Sequence, residues 1–131
     1  MTSFETRRLS ATPDVIAPDG SEIRLLSVER AGASMAHCTL NRGAVTRPIF
    51  HRTVEEAWFC VAGEGRLWRS IEGLDETIKL EPGIGISIAV GMRFQFRNDG
   101  SLPLEIVIAT FPPWPGNGEA AGCEGVWAPT V

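Results

Sequence analysis

The sequence predicts one all-β domain, an antiparallel sandwich or closed barrel, and three observations predict it. Short apolar runs recur along most of the chain, turn residues stand between them, and no long segment shows the apolar spacing of an amphipathic helix. Regular short strands separated by Gly/Pro turns are the signature of such folds.

The expected strands follow in order. The segment 22–28 comes after the turn Asp19-Gly20, and 35–40 runs into Asn41-Arg42-Gly43. Strands at 46–51 and 56–61 follow, and Gly63-Glu64-Gly65 reverses the chain into 65–70. Segment 77–80 leads to Pro82-Gly83, then 85–88, then 93–97, which ends at Asp99-Gly100 before 104–110. These turn residues supply a positive or a fixed φ where a hairpin must reverse. Residues 1–18 read as an N-terminal arm with a possible strand at 14–17. Residues 19–111 form the barrel domain and 112–131 a Pro/Trp-containing tail packed on the barrel or on a dimer partner. The run Phe111-Pro112-Pro113-Trp114-Pro115-Gly116 is unsuited to a central strand, because its prolines carry no ladder donor. It is expected to cross the surface in extended form, anchored by Trp114 and Trp127.

Composition narrows the function. At 131 residues, 44% hydrophobic and 21% charged, the chain is long enough for one self-sufficient core. A net charge of -4, with Arg7-Arg8 as an isolated basic pair, argues against a nucleic-acid partner. No apolar run reaches the ~20 residues that span a bilayer, and no apolar stretch follows the N-terminus as in a signal peptide. No membrane partner and a cytoplasmic location are therefore expected. The three cysteines, Cys38, Cys60 and Cys123, form no metal-type pair and leave an odd count, so no disulfide framework is expected.

Two motif-like stretches carry the remaining information. The first runs Arg47-Pro48-Ile49-Phe50-His51, Glu55-Glu56-Ala57-Trp58-Phe59-Cys60-Val61 and Gly63-Glu64-Gly65. The second runs Leu80-Glu81-Pro82-Gly83-Ile84-Gly85 and Val90-Gly91-Met92-Arg93-Phe94-Gln95-Phe96-Arg97-Asn98. From residue 43 to 110 these resemble the cupin superfamily, which implies an antiparallel double-stranded β-helix, the jelly-roll barrel. In that family's first motif a pair of histidines precedes a glutamate and a hairpin glycine; His51, Glu56 and Gly63 match the second histidine, the glutamate and the glycine. In the second motif Pro82, Gly83 or Gly85, and Asn98 match. Ile49 occupies the first histidine position and Phe94 the third. An alternative register takes His51 as the first histidine and Thr53 as the second. The run from His51 to Glu56, Trp68-Arg69, Phe94-Gln95-Phe96-Arg97 and Pro112-Pro113-Trp114-Pro115-Gly116 further resemble small stand-alone bacterial cupins of undetermined activity.

The chain contains two histidines, His37 and His51, so the three-histidine, one-glutamate metal site of the family cannot be built from it. On one continuous strand His51 and Glu56 would face opposite ways. The resemblance implies a reversal at 52–55 that places them on adjacent antiparallel strands, facing a common interior with Ile49, Phe94, Trp58 and Cys60. The expected function is binding of a small organic ligand, anionic or sugar-like, without a cofactor. Ile49, His51, Glu56, Trp58, Phe94 and Phe96 form the pocket, with Arg47 or Gln95 as further orienting groups. The alternative is an enzyme in which His51 and Glu56 are the catalytic residues, either a metal-free isomerase or epimerase or a cupin with a non-standard divalent metal at that pair, completed by His37, Cys60 or Glu55. A third reading leaves the pair satisfying each other in a filled barrel. His37 is expected to be a hydrogen-bonded strand residue, Arg69 to point outward, and one of Glu55 and Glu56 to be solvated. A homodimer is expected, paired through the arm and the Trp-bearing tail.

Overall fold

The computed structural model of the chain describes residues 5–30, 32–116 and 118–131, so the first four residues of the expected arm lie outside it. The described residues form eleven strands: β1 (Val15–Ile16), β2 (Glu22–Arg30), β3 (Ala33–Leu40), β4 (Ile49–His51), β5 (Glu55–Ala62), β6 (Gly65–Ile71), β7 (Leu74–Leu80), β8 (Gly85–Ile88), β9 (Arg93–Asn98), β10 (Leu104–Phe111) and β11 (Ala120–Gly122). They form two antiparallel sheets, one ordered β1-β2-β3-β10-β5-β8 and the other β11-β4-β9-β6-β7. From β4 to β10 the chain passes repeatedly from one sheet to the other, which encloses a jelly-roll interior. No helix among the described residues is long and apolar enough to cross a membrane.

All the expected strands are present, and the differences have local causes. β4 is shorter than 46–51 because the backbone N–H of Thr46 donates to Phe96, that of Arg47 donates to Asp19, and Pro48 has none to donate. β7 begins earlier than 77, since Glu72 and Gly73 both take positive φ (50° and 80°) and reverse the chain in two residues. The arm is held from Ser10 onward: Arg24 donates to the carbonyls of Ser10 and Ala11, and β1 pairs with β2.

Period-2 alternation fills the interior. Glu56, Trp58 and Cys60 of β5 point in, as do Leu104, Ile106, Ile108 and Thr110 of β10, facing Leu67, Phe94 and Phe96 of the second sheet. Gly65 is required where β6 meets β9, since a Cβ there would overlap the carbonyl oxygen of Arg97.

The tail departs most from expectation. It does not merely cross the surface; its residues Ala120–Gly122 pair with β4 as an edge strand. Beyond β11 it covers the outer face of β9, where Gln95 is fully buried. The Gln95 amide donates to the carbonyls of Thr46 and Trp127 and accepts from the N–H groups of Val126 and Trp127, at 2.8–3.1 Å. The guanidinium groups of Arg66 and Arg97, which share the Asp99 carboxylate, both lie over the Trp127 ring, 5.5 and 5.4 Å from its centre. Replacing Gln95 by Leu strands these buried backbone groups. The expected loss is about 2–4 kcal/mol in denaturant unfolding, with faster proteolysis beyond residue 123; an unchanged midpoint would show that the tail is held by other contacts.

Candidate functional site

The six sequence-derived pocket residues all lie inside the barrel. Ile49, His51, Glu56, Trp58, Phe94 and Phe96 are buried, and Ile49 pairs in register with Phe94. Glu55 is exposed, as expected of the solvated member of its pair. One expectation needs correcting: β4 and β5 are not neighbours. β4 pairs with β9 and β11 in one sheet and β5 with β10 and β8 in the other, so residues 52–54 cross between sheets. His51 and Glu56 therefore enter the interior from opposite sheets, which preserves the common interior by a different route.

The two groups do not hydrogen-bond to each other. Glu56 Oε1 accepts from Trp58 Nε1 at 3.0 Å and Oε2 accepts from the Thr110 hydroxyl at 2.9 Å. His51 packs edge-on against Phe94 and Trp114, each at 5.3 Å between ring centres, and its buried Nδ1 has no partner. Trp58 continues the cluster, meeting Phe94 at 5.5 Å and Phe96 at 5.2 Å, also edge-on. Burial pushes the Glu56 carboxyl up to about 7, against the lowering effect of its bonds from Trp58 and Thr110. The same cause pushes His51 down to about 4, opposed by the charge of Glu119. Both groups are thus neutral over much of the acid range.

Three residues at the mouth lay outside the sequence-derived set. Thr110 was legible by alternation along β10. Trp114 closes over His51 while its backbone N–H donates to the Ser34 hydroxyl at 3.4 Å. Glu119, buried, fixes the crossing segment: its carboxylate accepts from the N–H groups of Thr53 and Val54 and from the Thr53 hydroxyl, each at 2.7 Å. Burial would raise its pKa, and these bonds outweigh that and hold it below the usual carboxylate range. No sequence signal marked Glu119, because its partners are backbone groups of a distant loop.

Other candidates fall away from the mouth. Gln95 binds the tail on the opposite face of β9, and Arg47 donates to the carbonyls of Val131 and Pro18. His37 of β3 donates from Nε2 to the Glu105 carboxylate of β10 at 3.0 Å, as a hydrogen-bonded strand histidine. Arg69 does not point outward. It pairs with Phe94 and shares its face, reaching the Ser87 carbonyl and Glu76 at the barrel edge. Trp68, paired with Gln95, takes the outer side.

The donor set does not fit the metal site that the cupin resemblance implies. Ile49 and Phe94 contribute only carbon, and among the described residues no three His, Cys, Asp or Glu side chains are grouped to hold an ion. Two surface clefts among the described residues touch neither His51 nor Glu56. One, of about 300 Å³, lies beside Arg66, Lys79 and Asp99; the other, of about 270 Å³, lies beside Arg24, His37 and Glu105.

The opposed shifts give a pH signature. Glu56 binds its proton more readily in the folded state (about 7) than at its ordinary value of 4.5, so it lowers stability as pH rises between them. His51, at about 4 against 6.5, does the reverse: the unfolded chain takes the proton first, and stability rises over that window. Between pH 4.5 and 6.5 the two oppose. In Glu56→Gln the His51 contribution stands alone, so the variant should gain about 3 kcal/mol relative to the parent between pH 4.5 and 8. Urea unfolding across that range checks this; parallel curves would place Glu56 at an ordinary pKa.

Comparison with known proteins agrees with this geometry. The chain matches the Cupin domain family over residues 36–110, more than half its length. A comparison with curated proteins finds no match. Among solved structures, the capsular polysaccharide assembling protein CapF from Staphylococcus aureus superposes with a TM-score of 0.70 at 14% identity, over 83% of this chain and 33% of that one. A recombinant oxalate oxidase in complex with glycolate gives 0.71 at 17% identity, over 90% and 62%. This chain thus spans a third of CapF and under two thirds of the oxidase. A conserved Klebsiella pneumoniae protein with a double-stranded β-helix domain gives 0.63 at 17% identity, over 92% and 91%. At these identities the likeness shows the fold alone. The family match, the motif pair and the two-sheet topology together make the chain a small member of the cupin superfamily.

Proposed function

We propose that this protein binds a small organic molecule at the barrel mouth, between His51 and Glu56 and beneath Trp114, without a metal held by protein ligands. One observation carries the reading: the buried Nδ1 of His51 lacks a partner at a mouth otherwise walled by aromatic rings. A buried polar atom without a partner costs about 1–3 kcal/mol, and a ligand group bonded to it recovers that. Trp114, 36% exposed, is the wall that solvent reaches and the one a ligand must displace. Two checks apply. Protein purified without an affinity tag should contain far less than stoichiometric iron, manganese, nickel or zinc. Native mass spectrometry should show an organic adduct that His51→Ala loses. Stoichiometric metal would overturn the proposal.

A second reading, metal-free acid–base catalysis, is favoured by the Glu56 carboxyl standing near neutral pKa, where a proton is given and taken most easily. In that reading Glu56→Gln abolishes turnover and retains ligand.

We propose also that the protein forms a homodimer, through a surface other than the tail. The tail's aromatic rings pack on the chain's own barrel, whereas the outer face of the six-stranded sheet exposes Met35, Phe59 and Val61, by 42%, 50% and 40%. Val107 and Ala109 lie between β3 and β5 on that face, in register with Phe59 and with Met35. A self-complementary pairing would cover this apolar strip. Sedimentation velocity should show a dimer at micromolar concentration that Phe59→Glu converts to monomer; a monomeric parent protein would reject the idea.

A further inference from the structure

The ligand class follows from the charges that the barrel mouth has and lacks. Glu56 is a deeply buried carboxyl whose two oxygens are each held by an uncharged donor, Trp58 Nε1 and the Thr110 hydroxyl. Among the described buried residues there is no lysine or arginine. Arg69, the cation that shares Phe94's face, is spent on the Ser87 carbonyl and Glu76. Buried ionisable groups are normally paired, and among the described residues this one has no cationic partner.

An anionic ligand would meet the opposite situation. The donors nearest Glu56 are already committed to it, and a carboxylate or phosphate placed beside them would face a like group with no basic side chain to compensate. The interior beside it is lined by Phe94, Phe96, Trp58 and Trp114, which meet one another and His51 edge to face, and a ring face left to a ligand attracts a cation. Desolvation makes that attraction, and the Coulomb term to a carboxylate, stronger than at a surface.

Resting on the ligand-binding reading above, we propose that the mouth is selective for a small organic cation, a primary or substituted ammonium, with Glu56 as its counter-charge and the Trp58–Phe94–Trp114 rings as its walls. Of the ligands expected from the sequence, an anionic one would meet no buried basic side chain among the described residues at this mouth.

Three probes of one size and different charge test this: n-butylammonium, n-butanol and n-butyrate, titrated at pH 8 into the full chain while the Trp58 and Trp114 indole N–H resonances are followed by NMR. Butylammonium should bind at least tenfold more tightly than either of the others, and Glu56→Gln should erase that preference. If butanol or butyrate binds as well as the amine, or if the preference survives in Glu56→Gln, the cation assignment fails while ligand binding stands. If none of the three moves either indole, both readings fail. The ranking in the parent protein decides the charge class by itself, should the Gln variant not fold.

Discussion

A carboxyl group held in a hydrocarbon barrel without a cation is the constraint on which the site turns. The Glu56 side chain is aimed inward by strand alternation, and Trp58 and Thr110 occupy its oxygens. Neutral donors stabilise a carboxylate less than an ion pair does, so burial prevails and the proton is retained toward neutrality. His51, entering from the opposite sheet, meets the same medium and loses its proton instead. One cause therefore acts on the two groups in opposite directions. Together with the ionised Glu119 they give a mouth whose charge is carboxylate and not cationic, and which is receptive to a ligand that brings positive charge.

The mouth depends in turn on the tail. β11 adds to the free edge of β4 with Ala120 opposite His51, so the imidazole sits within a paired strand rather than at a frayed end. Glu119, one residue earlier, gathers the N–H groups of Thr53 and Val54, donors that the crossing between sheets would otherwise leave open. Trp114 then closes over the imidazole. Farther along, the Gln95 amide and the Arg66 and Arg97 guanidinium groups over Trp127 fasten the end of the chain to the outside of the second sheet. The ceiling, the carboxylate that fixes the crossing and the edge strand thus come from one covalent segment, and loosening the tail at Gln95 would be felt at His51.

Much of this was legible in the sequence. Alternation along β5, β9 and β10 placed Glu56, Trp58, Phe94 and Phe96 inside, and the turn residues marked where most strands end. The sheet to which each strand belongs was not legible, because inward alternation looks the same from either side; hence His51 and Glu56 were expected on neighbouring strands. β11 was missed because Ala120, Ala121 and Gly122 have little strand preference of their own, and the open edge of β4 decides their pairing. Gln95 resembled the polar half of a half-buried strand, and only the returning tail makes its face interior. Arg69 was misplaced because a charged strand residue is ordinarily solvated, whereas here its guanidinium is taken up by the Ser87 carbonyl and Glu76 at the barrel edge.

The absence of a full donor set and the protonation of Glu56 are consequences of the same substitutions. Imidazoles at the positions of Ile49 and Phe94 would have offered polarity and, with an ion, positive charge, which would keep the carboxyl ionised. Hydrocarbon at those positions removes both and lowers the local dielectric, so the carboxyl retains its proton and becomes a poorer metal ligand than its geometry suggests. Restoring one histidine, as at Phe94, would therefore do more than add a donor: in its neutral form it would bring polarity beside His51 and lower the cost of ionising Glu56. Metal affinity at this mouth should rise more steeply than the count of donors alone implies, because each new ligand also improves the one already present.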